Sequence, residues 1–279
     1  MKAKKFLVIL LTSLVFLAGA VLGVATVYRV DEICVEASTI SDEAEAEAQE
    51  LQSRLLVAYD QQSIFSAEAT AAEEIIADFP YFRMSQFEKA YPNRIVVHVT
   101  EDAEVYAMEN GAGEYYILGG DGTVLGIRGE YSNRSDETGK SNNLLITGVS
   151  VTGKKGEIIT GDENVASLLI FCQKVDGLLN GIRRNITAIE LKKGGSSQET
   201  ILLKLSTFEG VTIYINNPSE QTERKAEIAV NEYLGTGNAG LTDLQRTCGM
   251  LLVTVSDATG EVQTTYHDKD IIADAAQNE

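Results

Sequence analysis

The chain has no tryptophan, two histidines, three cysteines and three prolines in 279 residues. Each shortage removes a class of function. Without an indole face, a sugar-stacking cleft is disfavoured. His98 and His267 lie near strands with no arranged acid beside them, and Cys34, Cys172 and Cys248 are far apart in sequence. No first-row metal ion finds a ligand spacing in such a set, and no disulfide framework can be built from it. The cysteines are expected as unpaired thiols acting as small apolar residues, with one long-range bridge the alternative. Positive charge is also scarce: 23 Lys and Arg stand against 41 Asp and Glu, for a net charge of −18. That balance argues against nucleic acid and against docking on anionic lipid.

Catalytic motifs are equally thin. Gly235–Gly240, GTGNAG, fits G-x-G-x-x-G. A dinucleotide site needs a strand before that motif and a helix after it, whereas here a helix precedes it, so a helix end and a loop are expected. Gly148–Gly153, GVSVTG, is one residue out of register for a nucleophile elbow around Ser150. The densest acids, Asp42–Glu50, sit at a helix start, where they complement the helix dipole. No catalytic residue, cofactor or metal ligand is assigned.

What is present is pattern. Phe6–Val27 holds 22 residues without a charge, about 33 Å as a helix and long enough to span a bilayer core. Lys2, Lys4 and Lys5 precede it and Asp31 and Glu32 follow, which places the N-terminus in the cytoplasm and the rest outside. The rival is a cleaved signal peptide ending near Ala18–Ala20, but the apolar run continues well past that point. The expected division is a cytoplasmic tail 1–5, an anchor 6–27, a small domain 28–101, a larger strand-rich domain 102–268 and a disordered tail 269–279.

The small domain reads as strand, helix, helix, strand, strand. A strand is expected over Tyr28–Glu36. Ser41 caps a helix whose stripe is Ala44, Ala48, Leu51 and Leu55. Ser66 is expected to cap a second helix with Ala69, Ala72, Ile76 and Phe79 inward, stopped by Pro80. Strands Phe82–Ala90 and Arg94–Thr100 flank a turn at Tyr91-Pro92-Asn93-Arg94, and Ile95, Val97 and Val99 alternate with Val96, His98 and Thr100.

The larger domain opens with hairpins turning at Asn110-Gly111 and Asp121-Gly122. Tyr131–Asn143 is a polar loop. A helix from Asp162 to Leu179 buries Val165, Leu168, Leu169, Cys172 and Val175 and stops at Asn180-Gly181. Further strands alternate at Ile201, Leu203, Leu205 and at Val211, Ile213, Ile215. A second helix covers about Ser219–Leu234, and the last strands are Met250–Ser256 and Glu261–His267.

This ordered set resembles the FtsQ/DivIB family of bacterial cell-division proteins. The resemblance is carried by the helix ending in FPYF, by YPNRIVVHVTED and EVYAM with Pro92, Ile95, Val97, Val99, Glu101 and Ala107, by YYILGGDGTVLG, by LLITGV, and by the later helix–hairpin–helix order with Lys225. It departs where Val35–Ser38 lacks a glycine turn, where the Leu144 segment lacks a proline, and where the final strand lacks its usual Asp and Arg. It implies an α+β chain: a single transmembrane helix, a βααββ POTRA domain, then a mixed strand-rich β-domain with two helices. It also implies a non-enzymatic divisome scaffold in the cell membrane at the division septum, its C-terminal domains extracytoplasmic. The implied partners are small bitopic FtsL and DivIC/FtsB-type proteins, with the septal peptidoglycan synthase complex as a further candidate. In that family a partner strand adds to the C-terminal sheet edge, which on this chain points to Leu251, Leu252, Val253, Thr254 and Val255, with Tyr266 beyond. The alternatives are a POTRA-bearing envelope protein handling exported polypeptides and a secreted hydrolase.

Overall fold

The computed structural model describes residues 2–37, 40–131, 143–194, 200–238 and 240–276. The chain is α+β and divides into two compact units, Met1–Asp102 and Ala103–Glu279. Most of the polar loop expected at Tyr131–Asn143 lies outside the described residues.

The first unit begins with helix α1, Lys2–Val27. Here the expected fold class is corrected. Among the described residues no helix is long and apolar enough to cross a membrane, so the single transmembrane helix does not stand. Strand β1 is Glu32–Ala37, shorter than expected. The preceding residues pair elsewhere: Ile64 N donates to Tyr28 O at 2.8 Å, and Val30 N donates to Gln62 O at 2.9 Å.

Helix α2, Asp42–Tyr59, starts at Ser41, whose hydroxyl accepts from Ala44 N. The same hydroxyl donates to Glu101 Oε1 at 2.5 Å, and Ser41 N donates to Glu101 Oε2 at 2.8 Å. The cap is therefore clamped by a carboxylate from the far end of the unit, and such a cap contributes about 1 kcal/mol. Helix α3 is Ala69–Ile76, and its N-cap is Glu68 without a side-chain bond. Ser66 is not the cap; its hydroxyl donates to Ser63 O at 2.9 Å, closing the preceding turn instead. Strands β2, Phe82–Ala90, and β3, Arg94–Glu101, complete the unit. The sheet order is β1-β3-β2, with β1 parallel to β3 and β2 antiparallel to it. Ala44, Leu51, Leu55, Ala72, Ile95 and Val97 are buried in its core. Each fully buried leucine contributes about 2–3 kcal/mol.

The second unit is organised around one mixed sheet. Its strands are β4 (Glu104–Glu109), β5 (Tyr115–Gly119), β6 (Val124–Arg128), β7 (Leu144–Thr147), β10 (Ile186–Gly194), β11 (Thr200–Thr207), β12 (Thr212–Asn216), β13 (Met250–Val255) and β14 (Val262–His267), with β8 (Val151–Thr152) and β9 (Thr160–Gly161) forming a separate ribbon. The nine-stranded order is β14-β13-β12-β11-β10-β7-β4-β5-β6. Helices α4, Glu163–Leu179, and α5, Thr222–Tyr233, lie over one face. Leu168, Phe171 and Val175 of α4 and Ala226 and Val230 of α5 share a core with Leu203, Ile215 and Val253 of the sheet. Asp162 caps α4, and Asn180 ends it in the left-handed conformation, as its side chain and the following glycine predict. Two further short helices, α6 (Asp243–Arg246) and α7 (Ile271–Ala276), accompany the two expected ones, and α7 occupies the tail expected to be disordered.

Buried polar groups in this unit are mostly paired. Glu104 is buried against the Arg128 guanidinium and accepts from Asn143 Nδ2 at 3.1 Å. Cys34, Cys172 and Cys248 are free thiols, and burial raises the Cys172 thiol well above its ordinary range.

Candidate binding edge

The last two strands decide the site. Strand β13 pairs in parallel with β12 through the α5 crossover and antiparallel with β14. Leu251–Val255 are therefore paired on both sides and are not the sheet edge. Leu251 and Val253 are buried in the core beneath α5, while Leu252, Thr254 and Val255 are half-buried. This corrects the expected edge by one strand. The cause is the hairpin return through Asp257–Gly260, which lays β14 along the outer side of β13. Tyr266, the remaining expected residue, does lie on the edge strand.

The orientation of β14 follows from one bond. Ser256 N donates to Glu261 O at 2.8 Å, and the register to Met250↔His267 runs without a shift. Antiparallel pairs alternate between hydrogen-bonded and non-hydrogen-bonded positions. Gln263, Thr265 and His267 therefore bond to β13, while Val262, Thr264 and Tyr266 turn their N–H and C=O groups outward. Among the described residues no strand pairs with that outer side.

The edge is also unprotected by chemistry. Between Glu261 and His267 it reads VQTTY, with no charge, proline or bulge to discourage an incoming strand. The other edges differ. Strand β2 carries Arg83, Glu88 and Lys89 and a register shift at Met84/Gln86, and β1 carries Glu32 and Glu36.

Beside β14 lies a groove of about 780 Å³, walled by α5 and the loop after it on one side and by Gly260–Thr264 on the other. Arg224, Ile228 and Asn231 project from α5 into it. Helix α5 is held by Lys225, which is fully buried and donates from Nζ to Asn216 O at 2.7 Å and Asn217 O at 2.9 Å. Burial lowers the Lys225 ammonium from its ordinary value, and Glu220, with its carboxylate at 3.7 Å, pulls the other way. At the far end, the Tyr266 hydroxyl donates to Cys248 O at 3.2 Å. Burial, then its contact with Cys248, pushes that phenol up to about 12. Gly249, at φ +76, lets the chain enter β13 here, because a Cβ would stand 2.2 Å from His267 O.

Sequence reasoning missed Val262, Gln263 and Thr264 and the α5 wall. The available signal was the uncharged run in the last strand.

The other motifs resolve as backbone. The GTGNAG segment follows the α5 C-cap Leu234, as expected for a helix end. Gly148 has φ +81, and a Cβ there would meet Leu191 O at 1.9 Å, so close backbone approach accounts for this glycine without a nucleophile elbow. Against the expectation that no acid stands beside it, His98 is half-buried on β3 with carboxylates of Glu36 and Glu88 each 3.7 Å away, brought there by the strands on either side. Among the described residues no group of three or more His, Cys, Asp or Glu side chains is placed to hold a metal ion. No family model matches the chain, and no curated protein matches it.

Proposed function

We propose that the protein is a divisome scaffold of the FtsQ/DivIB type that acts by binding and not by catalysis. Its POTRA-like first unit and β-domain-like second unit stand on the extracytoplasmic side of the cell membrane at the division septum. The open edge of β14 takes a strand from a small FtsL or DivIC/FtsB-type division protein, and that capture helps regulate septal peptidoglycan synthesis. The single observation behind the reading is the uncharged, regularly registered outer side of Val262–Tyr266, with which no strand pairs among the described residues, beside the α5 groove. Strand addition satisfies the outward N–H and C=O groups of Val262, Thr264 and Tyr266, and alternate side chains of the incoming strand enter the groove. Main-chain bonds supply affinity there, and the groove supplies selectivity.

The test is cellular. Depletion should give filamentous or unseparated cells, and a fluorescent fusion should collect at midcell. Uniform fluorescence with normal division would sink the reading.

A further inference from the structure

Three aromatic side chains from three separated segments meet on the surface of the first unit. Tyr28 follows α1, Phe65 lies in the α2–α3 connection and Tyr91 sits in the β2–β3 turn. The ring centroids of Tyr28 and Phe65 are 4.9 Å apart, those of Phe65 and Tyr91 5.6 Å, and those of Tyr28 and Tyr91 6.5 Å. Phe65 and Tyr91 are each 59% exposed. Large aromatic rings left in water at this density ask for a partner. The cluster is held in place: Ile64 N bonds to Tyr28 O, and Lys89 Nζ donates to Phe65 O at 3.2 Å.

We propose that this cluster is a lipid-interface patch that rests in the headgroup region of a zwitterionic bilayer. Two features select lipid over a protein partner. Tyr28 directly follows Val27, the end of a helix whose described large apolar side chains, among them Leu14, Phe16 and Val21, are all exposed. Its composition is also that of a headgroup boundary: two phenols with an apolar body and a polar tip, with the Lys89 ammonium and the Arg29 guanidinium close by in the chain. The net charge of −18 selects a zwitterionic surface over an anionic one. The contact is interfacial and depends on neither the β14 edge nor the proposed division role.

The absence of tryptophan supplies a clean probe. Phe65→Trp and, separately, Tyr91→Trp each give the full-length chain a single reporter. Each is mixed with phosphatidylcholine vesicles with and without brominated acyl chains. Phe208→Trp, at a half-exposed position in the second unit, serves as the distant control. The expected result is a blue shift and about twofold or greater quenching by brominated lipid at positions 65 and 91, with none at 208. Co-flotation with vesicles while the reporters at positions 65 and 91 stay unquenched would overturn the proposal, because other residues would then make the contact. So would binding confined to anionic vesicles, failure to bind vesicles at all, or a blue shift produced only by membrane proteins without bromine quenching.

Discussion

Strand β6 closes one end of the nine-stranded sheet and β14 closes the other. At β6 the chain doubles back on itself: Val124 N donates to Glu157 O at 2.9 Å, and Gly156 N donates to Val124 O at 2.8 Å. Ile158 bridges Thr123 alongside, and the β5–β6 register shifts between Ile117 and Leu118. That edge is covered at its start, Thr123–Val124, and irregular. At β14 the register is regular, the residues between Glu261 and His267 are uncharged, and among the described residues no strand pairs with the outward groups. One sheet therefore carries a protected end and a receptive end. Edge strands are aggregation liabilities that proteins ordinarily blunt, so an end left bare beside a formed groove marks the side where a partner strand fits.

The contrast can be broken most sharply at Thr264. Thr264→Pro deletes an outward donor and spares the ladder to β13, a placement that edge strands tolerate. Capture of the partner should fall on the order of 100-fold, with near-UV circular dichroism unchanged. Thr265→Pro, one residue on, removes a donor to β13 and should instead lower stability. Equal capture by wild type and a folded Thr264→Pro variant would remove β14 from the interface.

Next in size is Lys225→Met. The Asn216 and Asn217 carbonyls lose a buried cationic donor, and urea denaturation should show a loss of about 2–3 kcal/mol. The pH dependence has a definite sign. With the folded-state value lowered below its ordinary 10.5, the unfolded chain binds that proton more tightly. Wild-type stability should therefore rise with pH between the lowered value and 10.5, and the methionine variant should lack that rise.

Gly156→Pro tests the protected end. It removes the donor to Val124 O and forces proline into a position at φ +84, at a cost of about 2 kcal/mol. Uncovering β6 should make it receptive in turn, read as a concentration-dependent dimer by size-exclusion chromatography. The smallest effect belongs to Tyr214→Phe. The Tyr214 hydroxyl donates to Asp270 Oδ2 at 3.1 Å, tying the α7 segment to the sheet near the receptive end. Its loss should cost about 1 kcal/mol and speed amide exchange over Ile271–Ala273.

Much of the local structure was legible. Ser41 with the Ala44–Leu55 stripe specified α2, Asp162 and Asn180-Gly181 bounded α4, and the Ile95/Val97/Val99 alternation specified β3, because caps and periodicity act over a few residues. Ser66 misled because a hydroxyl near a helix start can serve a preceding turn equally well. Tyr28–Val30 read as strand, yet its pairing with Gln62–Ile64 depends on where the α2–α3 connection lands. The docking edge misled for the same kind of reason. MLLVTV and VQTTYH both alternate, and alternation reports burial on one face, not whether a neighbour lies on either flank.

The residue pattern alone thus determined the type of most elements, their order and the inward faces of α2, α4, β3 and β11–β13, since these follow from caps, breakers and hydrophobic period. Only the tertiary structure decided which strand stands at the end of the sheet, which backbone groups on it face outward and which helix walls the groove beside it. The first depends on a pairing between residues distant in the chain, since β12 reaches β13 only through the α5 crossover; the β13–β14 hairpin is local, but its phase and the helix beside it are set by that docking.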